Sequence, residues 1–182
     1  MLTIGSLKLR SRFILAPMAG VSDLPFRLLN RRFGCELAFV EMLNVRSVSY
    51  KSAKTRQMLS SDPKERPLGF QILAKEPEYI LQALEVLKKY HFDLLDFNAA
   101  CPERKVTRRG EGASLLKDPK KLSQLLKVVV THVPMPVTVK IRIGWDRHTI
   151  NAKEVALYAQ DAGIQGLFIH GRTKDQGYSG EV

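Results

Sequence analysis

At 182 residues, with 45 % hydrophobic and 26 % charged side chains, the chain has the length and composition of one globular domain with a core of its own. Its formal charge of +11 points to a polyanionic partner, most simply nucleic acid, since Lys and Arg gain affinity by releasing counterions from phosphates; the alternative is an inert basic surface, and charge alone does not choose between RNA, DNA and anionic lipid. No apolar run approaches the roughly 20 residues of a membrane span, and the two cysteines, Cys35 and Cys101, form neither a disulfide framework nor a metal cluster, so the expectations are no membrane, no metal and a reducing cytoplasm.

Short apolar runs alternate with longer amphipathic stretches. The N-terminus has Lys and Arg ahead of an apolar run, but that run is about five residues, shorter than the roughly 7–15 of a secretory signal, and it reads as a first strand over 13–16. Ser22 or Asp23 then caps a helix carrying Phe26, Leu28 and Leu29, with Gly34 as its stop. Residues 37–41 read as strand two, 45–59 as weakly helical up to the Ser60-Ser61-Asp62-Pro63 break, and 68–73 as strand three. Pro77 suits the first turn of a helix with Ile80, Leu81, Leu84 and Leu87 on one face. Strand four is 94–97. Asp118-Pro119 starts a helix with Leu122, Leu125, Leu126 and Val129 at i, i+3, i+4, i+7 spacing. Strand five is 136–141. Asn151 and Glu154 have capping-box spacing ahead of Val155, Ala159 and Ala162, Gly163 ends that helix, and 166–170 is strand six.

Six strands separated by helical stretches imply a parallel α/β sheet with right-handed crossovers, either open and doubly wound or a (β/α)8 TIM barrel. No G-x-G-x-x-G follows strand one; Pro17-Met18-Ala19-Gly20 does. Gln71, Asn98, Lys140, Arg142, His170 and Arg172 sit at strand ends, as on the active face of a barrel. A whole barrel takes roughly 250 residues, so residues 1–182 are expected to form one partial barrel domain of about six strand units, lacking the last two and poorly stable by itself.

The most informative stretch is 94–116, LLDFNAACPERKVTRRGEGASLL. A short buried strand ends at Asn98, passes through Cys101-Pro102, and enters a loop rich in charge and glycine. A thiol at a strand end beside Arg104, Lys105, Arg108 and Arg109 is a plausible setting for chemistry on an anionic substrate. By itself Cys101 could equally be a small buried apolar residue; Cys35 has no motif around it and reads as structural.

Five segments in order make the chain resemble the tRNA-dihydrouridine synthases, with the flavour of the bacterial B-type branch. They are 16–23 (APMAGVSD), 98–102 (NAACP), 106–110 with Gly112 and Leu116, 137–145 (VTVKIRIGW), and 169–173 (IHGRT) with Gln176, Tyr178 and Gly180. The resemblance implies a TIM barrel that binds FMN, is reduced by NADPH (or NADH), passes a hydride to C6 of a uridine in tRNA, and has Cys101 protonate C5. It implies cofactor contacts from Pro17, Met18, Ala19, Gln71, Lys140 and His170, and a uracil pocket with Asn98 and Arg142. A thiol of ordinary pKa near 8.5 is protonated at neutral pH and can donate. Lys140 inside a strand requires a partner, for which a reduced flavin is a candidate. Ala100 departs from the family's usual glycine, and its methyl group would crowd the flavin or the turn. The resemblance also implies a C-terminal helical domain that helps grip tRNA, which residues 1–182 are expected to lack. Two other readings remain: an FMN barrel acting on a free pyrimidine, similar to dihydroorotate dehydrogenase, and a flavin-free tRNA-binding fragment.

Overall fold

The computed structural model describes residues 1–50 and 52–182. The chain opens with an antiparallel hairpin, β1 (Leu2–Ile4) and β2 (Leu7–Leu9), which turns at Gly5 with φ +56°. The parallel sheet begins at β3 (Ile14–Leu15), followed by α1 (Leu24–Arg32), β4 (Leu37–Phe39), β5 (Leu43–Asn44), α2 (Val45–Ser49) and α3 (Ala53–Met58). Next come β6 (Leu68–Leu73), α4 (Pro77–Leu87), β7 (Leu94–Ala99), the single turn α5 (Arg104–Thr107) and a 3₁₀ segment over Gly112–Lys117. The chain closes with α6 (Pro119–His132), β8 (Val137–Arg142), α7 (Ala152–Asp161) and β9 (Gly166–His170).

The sheet order is β3-β4-β6-β7-β8-β9, every pair parallel, with β5 continuing the β4 side of β6 beyond a bend. Six neighbouring staves in chain order, with helices on the outer face, form a curled half-barrel of the TIM type. The period-2 alternation of strands assigns the two faces. Phe70, Ile72, Leu95, Phe97, Val139 and Ile141 point outward into one large core shared with Ile80, Leu84, Leu87, Leu122, Leu125, Leu126 and Val129 of the helices. The inner face begins at the N-terminal ends of the strands with a small plug in which Ile4 and Leu9 of the hairpin pack on Leu37, Phe39 and Leu94. Above it the interior turns polar.

The hairpin lies outside the expected elements, because a three-residue strand carries too little periodicity to register. α1 also departs from expectation. Asp23 is the cap, its carboxylate accepting from Phe26 N at 3.0 Å, whereas Ser22 is buried and bonds to Met18. The buried residue of α1 is Arg27, not the expected apolar stripe; Leu29 is half exposed. Arg27 pairs with Glu65 and donates to Ser22 O (2.7 Å) and Ser60 O (2.8 Å), and its carboxylate partner lies too far along the chain for local periodicity to reveal. On α4, Ala83 rather than Leu81 completes the buried face. The span expected to be weakly helical divides into α2 and α3, and Lys51 within it lies outside the described residues. No capping box forms at α7. Asn151 N is taken by Ile143 O, and its Nδ2 donates to Leu116 O at 2.7 Å, tying the helix start to the 3₁₀ segment.

Gly69 is required by a close approach. A Cβ on Gly69 of β6 would stand 2.5 Å from the Phe39 ring in the neighbouring strand. Gly69→Ala should therefore lower stability by about 1–3 kcal/mol, the usual cost of overpacking a fitted core, measured as a fall in the urea midpoint at unchanged slope.

Candidate active site

A cavity of about 600 Å³ opens at the C-terminal ends of the strands, within the size range of small-molecule sites. Its apolar wall is Ile14, Ala16, Pro17, Met18 and Ala19 from the end of β3, with Phe39 and Phe168 toward the floor. Its polar wall is Gln71, Asp96, Asn98, Cys101, Lys140, Arg142 and His170. Cys101 and the candidates for cofactor and uracil contacts therefore all reach one cavity, although they come from five strands and 154 positions of chain, from Pro17 to His170; Arg172, also expected at the active face, does not line it.

Strand register explains the convergence. Gln71, Asp96 and Thr138 are neighbours across β6, β7 and β8; one inward step up, Asn98, Lys140 and Phe168 are neighbours; Arg142 and His170 follow. In the lower row, the Asp96 carboxylate is 2 % exposed and accepts from Gln71 Nε2 and Thr138 Oγ1, each at 2.6 Å. Gln71 Oε1 in turn accepts from Asn98 Nδ2 at 2.7 Å. Asn98 Oδ1 accepts from Ala100 N (3.0 Å) and Cys101 N (2.8 Å), the two amides of the turn that carries the thiol. The Asn98 amide is thus spent on the protein itself, with Met42 Sδ as its remaining neighbour. Arg142, 2 % exposed, is similarly engaged: Nε donates to Ala100 O (2.9 Å), and Nη1 to Thr173 O (2.9 Å) and Gly177 O (2.7 Å).

Lys140 is different. Its half-buried ammonium has no hydrogen bond or ion pair among the described residues, and burial pulls its pKa down despite the charge of Asp96. A cation held without a contact partner in a cavity suits an electron-rich or anionic ligand. Burial pushes the Cys101 thiol up, helped by the Glu103 charge and opposed by the Glu103 amide, Arg142 and Arg109. The thiol is therefore the protonated species at neutral pH, a donor rather than a nucleophile. His170 is pulled down by burial and by Arg142, Lys140 and Arg172, and stays neutral.

The Cys101 turn is packed from beneath by Gly112, at φ +60°, where a Cβ would lie 2.8 Å from Cys101 O. The stretch beyond Cys101 is more ordered than the flexible loop its composition suggests. Val106 anchors the α5 turn, and buried Glu111 holds Arg109 (Nη2 to Oε2 3.0 Å) and Asn44 (2.9 Å). Arg104, Lys105 and Arg108 remain exposed beside the cavity. The Ala100 methyl is accommodated in the cavity wall, with backbone bonds on both sides of it made.

Asp96 escaped the reading of the sequence because it sits inside an apolar run. The available signal was parity: Asp96 and Asn98 share one face of the strand, and Leu95, Phe97 and Ala99 the other. Thr138, which supports the site from β8, was hidden in the same way by its neighbours, whereas Tyr178, named only within a family segment, also lines the cavity.

A parallel half-barrel with polar side chains gathered in a cavity at the C-terminal ends of its strands has the layout of a (β/α)-barrel enzyme, and comparison with known proteins makes the class specific. The family model for dihydrouridine synthase (Dus) matches residues 14–182, and the chain belongs to that family. It is 39 % identical, over its whole length, to the probable tRNA-dihydrouridine synthase 1 of Synechocystis sp., of which it covers 51 %. It is 40 % identical over 98 % of its length to tRNA-dihydrouridine synthase B of Pseudomonas aeruginosa, covering 54 %, and 37 % identical to that of Pasteurella multocida, covering 54 %. The chain thus spans about half the length of these curated relatives.

Burial pushes the Asp96 carboxyl up to about 6, against the opposing pull of Thr138, Gln71 and Lys140. Between about pH 4 and 6 the folded chain keeps a proton that an ordinary carboxyl has released, so this group's contribution to stability is present on the acid side and is lost as pH rises through 6. The stability of the parent relative to Asp96→Asn should fall by roughly 3 kcal/mol from pH 4 to pH 7, read as the difference between their urea unfolding free energies at the two pH values.

Proposed function

We propose that this chain carries the ring-binding and acid-donating half of a tRNA-dihydrouridine synthase site, reducing uridine in tRNA to 5,6-dihydrouridine with FMN as cofactor and NADPH (or NADH) as reductant. The observation that carries the reading is the placement of a half-buried, protonated Cys101 thiol in the same cavity as the bare Lys140 ammonium. The cavity residues fit a flavin: a wall of small and apolar groups at 16–19, a cation with no contact partner, and Gln71 with a spare amide hydrogen. When bound, FMN would supply the hydride for C6 of the uracil.

The chain's own residues do the rest. Pro17, Met18 and Ala19 offer a flat face for the ring. Lys140 supplies the positive charge for its polar edge, and neutral His170 a hydrogen-bonding nitrogen at the rim. Cys101 holds the proton destined for C5, and burial keeps that proton on sulfur until it is needed. Asn98 and Arg142, expected in the uracil pocket, border it while their polar atoms brace the Cys101 turn; their contribution is to place the acid. Arg104, Lys105 and Arg108 beside the mouth are available to phosphates, as are Lys117 and Lys174, which stand on the two-ring face of Trp145 at 3.6 and 4.4 Å. A basic chain acting on RNA in the cytoplasm accords with its charge.

Titrating the purified chain with FMN should produce a shifted, protein-bound flavin absorption band, weakened about tenfold or more by Lys140→Met, the scale of one charge-assisted bond. Salt-dependent tRNA binding without such a band would leave a flavin-free RNA-binding unit and overturn the flavin assignment. Where turnover is measured, as dihydrouridine formed in tRNA, Cys101→Ala should lower it about 10²- to 10⁴-fold with FMN binding unchanged.

A further inference from the structure

We propose that Asp96 is a positioning residue for Cys101, whose carboxylate sets the direction of a hydrogen-bond relay through Gln71 and Asn98 that holds the turn carrying the thiol. An ionised carboxylate only accepts hydrogen bonds. Gln71 must therefore present its amide nitrogen to Asp96, at 2.6 Å, which leaves Oε1 toward Asn98. Asn98 must then donate its nitrogen to Gln71, which leaves Oδ1 for the amides of Ala100 and Cys101 at 3.0 and 2.8 Å. Each link has one working orientation, fixed at one end by the acceptor-only carboxylate and at the other by the donor-only N–H groups of the turn. The carbonyls of the same turn are held separately, Ala100 O by Arg142 Nε (2.9 Å) and Cys101 O by Ala113 N (3.0 Å). The relay is what holds its N–H groups.

A neutral amide at position 96 can accept or donate, so the relay loses the end that fixes Gln71, and only the two N–H groups of the turn, which can only donate, still favour the outward direction of Asn98. The relay should also be reversible by design. In Asp96→Asn/Gln71→Glu the carboxylate moves one strand across. It can accept from residue 96 on one side and from Asn98 on the other, which restores the outward direction toward Cys101.

The test reads the thiol directly in a Cys35→Ala background. The alkylation rate of Cys101 by iodoacetamide at pH 8 and the amide ¹H–¹⁵N signals of Ala100 and Cys101 are compared across variants. Asp96→Asn should raise the alkylation rate about fivefold, the equivalent of one hydrogen bond, and shift both amide signals; the double variant should return both toward the parent. Parental values in Asp96→Asn, or a change that the double variant fails to reverse, would overturn the assignment. If Asp96→Asn does not fold, Gln71→Met interrupts the relay with the carboxylate intact, and unchanged thiol and amide signals in it overturn the assignment equally. The inference rests on the reading of Cys101 as the reacting group only for its catalytic consequence; no flavin or tRNA enters the test, so its failure is distinct from failure of the proposed function.

Discussion

A carboxylate almost out of contact with water has to be surrounded by donors, and the interior of this half-barrel is arranged around that requirement. Asp96 sits on the inner face of β7, the strand between β6 and β8, and takes one donor from each side, Gln71 and Thr138. Parallel pairing in this register is what brings the three side chains level. A slip of one residue would exchange inner and outer faces, placing Asp96 among the leucines under α4 and α6 and Phe97 in the cavity. The apolar outer core and the polar inner row therefore enforce the same register independently.

The two faces of the sheet do different work. The outer face, with α4 and α6 seated on β6, β7 and β8, buries the large core that stabilises the fold. The inner face is plugged at one end by the N-terminal hairpin and left open at the other, where polar groups converge. The sheet's two end strands are less covered: Phe13 beside β3 is 87 % exposed and Ile169 of β9 is 49 % exposed, and Leu29 and Leu157 of the adjoining helices are also open. Many of the polar groups of the cavity lie on or just past β7 and β8, away from those edges, so the Cys101–Asn98–Arg142 brace is complete within the chain.

The electrostatics of the site divide along the same line. Burial keeps the proton on the Cys101 thiol and weakens the hold of Lys140 on its own, while the neighbouring carboxylate works in the opposite sense on the lysine. A thiol that retains its proton and a cation without a contact partner coexist in one cavity, each partly desolvated by its walls and carried by a different strand end. Positive charge also lies outside this chamber, on α5 at Arg104 and Lys105 and around Trp145 at Lys117 and Lys174.

The amino-acid sequence by itself determined the strand–helix alternation, the barrel class, the family, and nine of the residues that meet in the cavity. The alternation is written in local signals, apolar periodicity with Pro and Asp at helix starts, and the family and eight of those nine residues in five short segments, with Gln71 outside them. It did not reveal Arg27 as a core residue, Asp96 as the anchor of the interior, or the engagement of Asn98 and Arg142 with the turn. In each case the deciding partner is distant in the chain: Glu65 for Arg27, Gln71 and Thr138 for Asp96, the 173–177 loop for Arg142. A polar side chain in a strand has the same local pattern whether it faces solvent, a ligand or a buried donor. Only the register of neighbouring strands decides which, because it alone sets what stands opposite.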